Sequence, residues 1–140
     1  MLSAVVIALI LIVSCGAVHY AFMRGLDLTF KASRLGKGLK LQISLLIAVI
    51  VHSFEAGLYA IGFQFSHSLN LGGFKGLESP HSIMDVFYFS LVNYTSLGLG
   101  DIYPTGHLRF LAGIESLNGF LLISCSAALL FRIMSPSKSF

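Results

Sequence analysis

A short apolar segment followed by a glycine-punctuated stretch, residues 80–101, constrains the fold of this chain more than any other feature. We expect a helix over 80–94, with Ser79 as the N-cap and Pro80 at the first helical position. Such a helix is too short to cross a bilayer, which takes about 20 residues. The next residues, 95–101 (TSLGLGD), place glycine at alternate positions, where the backbone can adopt conformations closed to other residues. Because irregular backbone at membrane depth is tolerated only where it is buried in protein or lines water, this layout predicts a re-entrant loop.

The composition identifies a membrane protein. The chain is 56% hydrophobic and 11% charged, whereas soluble domains carry about 25% charged residues. Three apolar runs predict an N-terminal transmembrane helix over 1–23, an outer helix over 41–63 and an inner helix over 107–134. We interpret the first as a retained span rather than a signal peptide, because no positively charged region precedes it. The expected fold is an all-α membrane protein with three transmembrane helices, a re-entrant pore helix over 80–94 and a filter loop over 95–101.

The basic residues predict the orientation of the chain. Residues 24–40 contain five Lys or Arg and one Asp, so the positive-inside rule makes this segment a cytoplasmic linker and puts the N-terminus outside. Arg132 and Lys138 end the last span, which places the C-terminus in the cytoplasm. We therefore expect a multi-pass protein of the cell membrane. Its basic loop is interpreted as solvated, and neither a nucleic acid nor an organic substrate is an expected partner.

The predicted loop has the chemistry of a cation filter. Successive backbone carbonyls that point at one axis can replace the hydration shell of a cation, and a hydroxyl at the inner end adds further oxygens. The preceding helix directs the negative end of its dipole at the same axis. One chain supplies only one wall, so we expect a homotetramer in the lipid bilayer, with permeant cations at the carbonyls and no other cofactor. The predicted ion-binding residues are Thr95, Ser96, Leu97, Gly98, Leu99, Gly100 and Asp101.

Three separated blocks in this order carry a family resemblance: HSFE at 52–55, FSLVNYTSLGLGD at 89–101 and RFLAGIESLNG at 109–119. They resemble the small bacterial potassium-channel and ion-channel family with a two-helix pore domain. That family is expected to show His-x-x-Glu, then FS-x-x-NYTTLGYGD, then a stretch like R-L-L-x-x-x-E-x-x-N-G. The resemblance covers residues 41–134 and implies a potassium-permeable cation channel rather than an enzyme, with permeant K⁺ at the filter carbonyls.

The resemblance also implies roles for residues of the inner helix. Gly119 stands where the family has a hinge glycine, although close helix packing explains a helical glycine equally well. Asp101 is implied to face the outer mouth. The implied pore-lining positions are Phe120, Ile123, Ala127 and Phe131.

Two departures from the family pattern bear on selectivity. Ser96 stands where the family has threonine, and Leu99 stands where it has tyrosine. Both positions retain the oxygen atoms that coordinate ions, but Leu99 cannot form the hydrogen bond that the tyrosine makes behind the filter. A weakly selective sodium and potassium channel is therefore the alternative to a potassium-selective one.

Ionisable residues inside the spans predict a second site. At helical rise, Glu55 and Glu115 lie at similar depth on antiparallel helices, and His52 matches Asn118. We expect these four to form one buried polar network behind the filter, acting as a structural clamp in preference to a pH gate. His52 and Glu55 alone offer too few ligands for a metal site, and His19 is assigned to a predicted membrane edge, where an amphipathic ring is ordinary.

Two other classes compete with a channel. Residues 98–101 also match the GxGD signature of intramembrane aspartyl proteases, which need a second aspartate on an adjacent span. The alternatives, Asp85 and Asp27, lie in the same re-entrant element and on the cytoplasmic side, so the protease is the weakest hypothesis. A non-conducting membrane subunit that keeps the fold for assembly is the other alternative.

Overall fold

The computed structural model of the protein describes residues 1–76 and 82–135, which are predominantly helical. The elements in chain order are α1 (Leu2–Ala32), α2 (Lys37–Ser68), β1 (Phe74–Gly76), α3 (Ile83–Tyr94), β2 (Ile102–Pro104) and α4 (Leu108–Met134). The two strands pair antiparallel, with Phe74 opposite Pro104 and Gly76 opposite Ile102. The helices were expected from the sequence, but this small sheet was not; it joins the segment before α3 to the segment after it.

Three of the helices are long and apolar enough to cross a membrane: α1, α2 and α4. At 1.5 Å per residue the 32 residues of α2 measure about 48 Å, which exceeds the hydrocarbon core of about 30 Å. The 12 residues of α3 measure only about 18 Å. α3 is therefore too short to be a span.

Helices α1 and α2 extend into the basic segment 24–40 and leave only residues 33–36 between them. Lys and Arg are good helix formers, so the helices continue past the apolar runs that hydropathy detects. The Nζ atom of Lys40 donates hydrogen bonds to the carbonyl oxygens of Phe30 (2.8 Å) and Ser33 (3.1 Å). A cation thus binds carbonyl oxygens at the C-terminal end of α1, where the N–H of the C-cap residue Ser33 also donates to Phe30.

Helix α3 begins at Ile83 with a capping box. The backbone N–H of Asp85 donates to Ser82 Oγ (3.1 Å), and the backbone N–H of Ser82 donates to Asp85 Oδ2 (2.7 Å). This reciprocal pair satisfies two of the free N–H groups at the helix start. The expected start at Ser79 and Pro80 lies outside the described residues.

The core lies where α2, α3 and β1 meet. Phe63, Phe74 and Phe89 pack edge to face in a mutual triangle, with ring centroids 5.0–5.5 Å apart. Helix α1 packs onto the same core through Leu11, whose side chain occupies the space beside Gly62 of α2. α1 is thus an integral part of the bundle.

The basic ends of three helices lie together. Arg132 of α4 donates to Asp27 of α1 at 2.7 Å, and Lys37 of α2 donates to the carbonyl oxygen of Ser135 at 2.8 Å. Because these contacts join both basic segments of the chain, the positive charges are concentrated at one end of the bundle.

Gly119 lies where α4 packs against the end of α3. A Cβ atom at this position would lie 2.1 Å from the carbonyl oxygen of Tyr94, the last residue of α3. Real Cβ atoms do not approach backbone oxygens this closely, so only glycine fits here. Close packing of α4 on the end of α3 therefore accounts for this glycine without a hinge.

We predict that Gly119→Ala destabilises the protein by about 1–3 kcal/mol, because the added methyl group must push α4 away from the end of α3. The matched control is Gly113→Ala in the same helix, where no atom lies within 4 Å of the added Cβ. The control should be neutral or stabilising by up to about 1 kcal/mol, as expected from helix propensity. Thermal unfolding in detergent, followed by circular dichroism, measures both. Equal melting temperatures for the two variants would contradict this account of Gly119.

Candidate functional site

The backbone of residues 95–101 has an alternating conformation. Positive φ angles occur at Ser96 (62°), Gly98 (55°) and Gly100 (79°). Alternation of left- and right-handed residues turns successive peptide groups toward a common side, unlike a β-strand, where they alternate. Ser96 adopts this conformation although it bears a side chain, which is uncommon. The backbone is therefore suited to presenting several peptide dipoles to one ligand.

The glycines and leucines of this loop are open to their surroundings in the single chain. No atom lies within 4 Å of a Cβ placed at Gly98 or Gly100. The side chains of Leu97 and Leu99 are 67% and 59% exposed. Residues 95–100 thus pack against the rest of the chain on one side and are exposed on the other.

Two hydroxyl groups fix the beginning of the loop. Thr95 Oγ1 donates to the carbonyl oxygen of Val92 in the last turn of α3, at 2.9 Å. Ser96 Oγ lies 2.9 Å from Ser116 Oγ of α4. The Ser96 hydroxyl, expected at the inner ion site, thus contacts α4 in the single chain.

Asp101 fixes the end of the loop. Tyr88 of α3 donates its hydroxyl hydrogen to Asp101 Oδ2 at 2.7 Å, and the Ile102 N–H donates to Asp101 Oδ1 at 3.0 Å. The Tyr88 hydrogen bond, with a contribution from the Ile102 N–H, lowers the pKa of Asp101 below its ordinary value. Asp101 is therefore negatively charged at neutral pH.

Glu115 joins α4 to α3. Its side chain is fully buried and faces Ser90 and Asn93 on α3. Asn93 Nδ2 donates to Glu115 Oε2 at 2.7 Å, and Ser90 Oγ contacts Glu115 Oε1. Ser90 Oγ also contacts the carbonyl oxygen of Ala56 on α2 at 2.6 Å. The group therefore connects three helices directly before the 95–101 loop.

Glu55 is the centre of a second buried group. Its Oε1 lies 3.1 Å from His19 Nδ1 of α1, and its Oε2 lies 3.0 Å from His52 Nδ1. Tyr94 of α3 donates its hydroxyl hydrogen to Glu55 Oε2 at 2.5 Å. Ser126 of α4 lies beside both imidazole rings. The group joins all four helices, and three of its side chains, His19, His52 and Glu55, are of types that bind metals.

Asn118 belongs to a third group. Its Nδ2 donates to the hydroxyl oxygen of Tyr59 on α2 at 3.1 Å. The four residues predicted to form one network, His52, Glu55, Glu115 and Asn118, therefore lie in three hydrogen-bonded groups among the described residues. Among these four described residues, only His52 and Glu55 contact each other directly.

His19 was expected at a membrane edge and not in this group. Because α1 continues to Ala32, His19 lies near the middle of the helix and is only 2% exposed. The signal in the sequence was an ionisable side chain inside the predicted span 1–23, the kind of residue that marks a functional site within a membrane. Buried residues of α1 recur at Leu11, Cys15, His19, Leu26 and Phe30, a helical stripe in which His19 occupies an inward position.

The expected pore-lining residues of α4 differ in exposure. Phe120 and Phe131 are 60% and 76% exposed, and Ala127 is also exposed. Ile123 is half-buried and packs against the core. This face of α4 is thus largely uncovered in the single chain.

The fold defines the chain as a multi-pass membrane protein, with three spans and apolar side chains exposed on the outer surfaces of α1 and α2 to contact lipid. A comparison with protein families specifies it further. The model of the ion channel family (Ion_trans_2) matches residues 44–135, about two thirds of the chain, so this chain belongs to the ion channel family. Comparisons with curated proteins and with solved structures gave no significant match.

We predict that Tyr94→Phe destabilises the protein by about 1.5–3 kcal/mol, because the buried Glu55 carboxyl group loses a hydrogen-bond donor. The control is Tyr103→Phe on β2, a half-exposed side chain, where the change should be within about 0.5 kcal/mol. Thermal unfolding in detergent measures the difference. A Tyr94→Phe variant as stable as the control would show that the Glu55 group does not hold α3 in place.

Proposed function

We propose that this ion channel protein conducts cations, with a preference for potassium, through a path formed by four copies of the 95–101 loop around a common axis. The observation that carries this proposal is the backbone of the loop, with positive φ angles at Ser96, Gly98 and Gly100. Carbonyl groups of Ser96, Leu97, Gly98 and Leu99 would replace the hydration shell of the ion. No chemical reaction and no cofactor other than the permeant ion is required.

The surroundings of the loop support a re-entrant arrangement. Helix α3 is too short to span and ends at Tyr94, immediately before the loop, so the negative end of its dipole faces the proposed axis. The loop then returns through Asp101 to β2 and α4. Irregular backbone of this kind requires a water-lined or protein-buried environment within a membrane.

The uncovered side of the loop supports a tetramer. A single chain leaves residues 95–100 exposed, together with Phe120 and Phe131 of α4. Four copies would place these surfaces around one axis, with α4 lining the inner part of the path. Phe131 is the proposed constriction, where an apolar ring can gate by dewetting.

The basic end of the bundle supports an N-out and C-in orientation. The end of the bundle where α1, α2 and α4 meet carries Arg24, Lys31, Lys37 and Arg132. The contact between Arg132 and Asp27 joins the two basic segments there. By the positive-inside rule this end is cytoplasmic. The small sheet and Asp101 would then lie toward the outside.

The contact between Tyr88 and Asp101 supports a preference for potassium despite Leu99. A leucine side chain cannot make the hydrogen bond expected of tyrosine at this position. The hydrogen bond from Tyr88 instead ties the outer end of the loop to α3. A weakly selective cation path is the outcome expected if this bond does not rigidify the loop.

The aspartyl protease hypothesis receives no support from the described contacts. Asp27 pairs with Lys31 and Arg132, and Asp101 pairs with Tyr88. Asp85 belongs to the cap of α3. No described contact joins two aspartates, whereas the protease chemistry needs two that act together.

Flux into proteoliposomes tests the proposal. We expect the purified protein to conduct potassium faster than sodium, and Gly98→Ala to abolish flux of both ions. Alanine at φ +55° is strained by about 1–2 kcal/mol in each copy, and the backbone must move to relieve it. The control is Gly25→Ala in α1, where no atom lies within 4 Å of the added Cβ.

The outcomes separate the alternatives. Equal flux of both ions that Gly98→Ala abolishes would retain the conduction path and reject the potassium preference. Flux that persists in Gly98→Ala would reject the 95–101 loop as the path. Absence of flux from folded, tetrameric protein would favour a non-conducting subunit.

We further predict that Tyr88→Phe lowers the ratio of potassium to sodium flux several-fold, because the outer end of the loop loses its tie to α3. Since the Tyr88 hydrogen bond lowers the pKa of Asp101, the carboxylate of the variant should become protonated at a higher pH, and acidification should reduce its flux first. Tyr103→Phe is the control. An unchanged ratio and pH profile in Tyr88→Phe would contradict this role of Tyr88.

A further inference from the structure

We infer that His19, His52 and Glu55 form a binding site for a divalent transition metal such as Zn²⁺, separate from the conduction path. His19 comes from α1, and the other two come from α2. The side chains of His19 and Glu55 are 3% and 0% exposed, so the group lies inside the bundle. This site is independent of whether the chain conducts ions.

The three donor atoms lie close enough together to converge on one metal ion after small side-chain movements. His19 Nδ1 lies 3.1 Å from Glu55 Oε1, and His52 Nδ1 lies 3.0 Å from Glu55 Oε2. All three ligand atoms lie within 4.8 Å of one another. In a tetrahedral zinc site with bonds near 2.0–2.1 Å, ligand atoms are about 3.3 Å apart. The two carboxylate contacts, one to each oxygen of Glu55, need shifts of a few tenths of an ångström to reach that distance, and atoms at the 4.8 Å limit must approach by about 1.5 Å.

Ser126 supplies the outer shell of such a site. Its Oγ lies 3.0 Å from His52 Nε2 and 3.4 Å from His19 Nε2. A histidine that binds a metal donates its other ring N–H to an oxygen, which fixes the tautomer and the ring orientation. The two lone pairs of one serine oxygen can accept from both rings. Both Nδ1 atoms then carry lone pairs directed toward Glu55.

With both imidazoles neutral, the group has one hydrogen fewer than its ring contacts, so either a proton on one ring or a metal ion must supply the missing positive charge. Each neutral imidazole carries one N–H, and Ser126 carries one O–H, which gives three hydrogens. The two rings make four contacts with Glu55 and Ser126. One contact therefore brings two lone pairs together unless a further cation is present. The Tyr94 hydroxyl oxygen lies 3.1 Å from His52 Nδ1 as well as 2.5 Å from Glu55 Oε2, and its single hydrogen can be donated to only one of them.

A divalent metal would remove the contact between two lone pairs while both imidazoles stay neutral. With both Nε2–H groups donated to Ser126, both Nδ1 atoms and the Glu55 carboxylate bind the metal. Two imidazoles and one carboxylate form a ligand set that zinc uses in proteins, with one position left for water or a hydroxyl group. Tyr94, beside Glu55 Oε2, is in position to approach it.

The exposure of the three ligands and the helices that carry them predict how a metal would enter the site and how it would affect stability. His52 is the most accessible ligand, with 17% of its side chain exposed, so a metal would enter past it. Because His19 lies on α1 and the outer shell comes from α4, a bound metal would link the first helix to the rest of the bundle. Metal binding should therefore raise the melting temperature.

The test is a titration of the purified full chain in detergent, after removal of metals with a chelator. Co²⁺ is the first probe, because its visible spectrum reports four-coordinate nitrogen and oxygen ligands. We expect one Co²⁺ per chain, displacement by Zn²⁺, a higher melting temperature and no effect of Mg²⁺, which prefers oxygen ligands. Failure of the unaltered protein to bind Co²⁺ or Zn²⁺ stoichiometrically would overturn the inference.

Matched variants locate the site. His19→Gln and His52→Gln should each lose the spectrum and weaken zinc affinity by more than tenfold. Ser126→Ala keeps all three ligands and should weaken affinity by about 10–100-fold through the outer shell. The control is the exposed His107→Gln, which should bind as the unaltered protein does. Unchanged binding in both His19→Gln and His52→Gln would overturn the assignment.

Discussion

Lipid offers no hydrogen-bond partners, so every polar group within the bundle must find its partner in the protein. This constraint acts most strongly on Glu55 and Glu115, which are fully buried. Both satisfy it by reaching α3: Glu55 through Tyr94, and Glu115 through Ser90 and Asn93. A helix too short to span the membrane is thereby held in the bundle by two carboxyl groups on two different helices.

The 95–101 loop depends on this attachment. It begins immediately after Tyr94, whose hydroxyl group contacts Glu55 and whose carbonyl oxygen contacts Gly119. Its far end is tied back to α3 through Asp101. Anchoring at both ends allows the glycines between them to take an alternating conformation without side chains packed behind them. In the proposed channel, the rigidity that Leu99 does not supply would come from these anchors.

The sequence was sufficient for the three spans, the short helix and the family, because these rest on apolar length and on glycine spacing. It could not resolve how the buried polar residues pair. Depth along a helix matched Glu55 with Glu115, but pairing depends on the direction of each side chain, and Glu115 turns toward Asn93 on α3. Hydropathy also placed the end of the first helix at residue 23, because it does not detect helical turns that contain basic residues, whereas α1 continues to Ala32. His19 was therefore assigned to a membrane edge. The ion-binding role of the loop remains a prediction that depends on copies of the chain outside the single subunit.

Anomalous diffraction from crystals of the assembled protein grown with Rb⁺ would test the central claim most directly. The account predicts discrete Rb⁺ peaks on a four-fold axis, between rings of carbonyl oxygens from Ser96, Leu97, Gly98 and Leu99. Ion peaks that are absent from this loop, or loops that face lipid instead of one another, would contradict it.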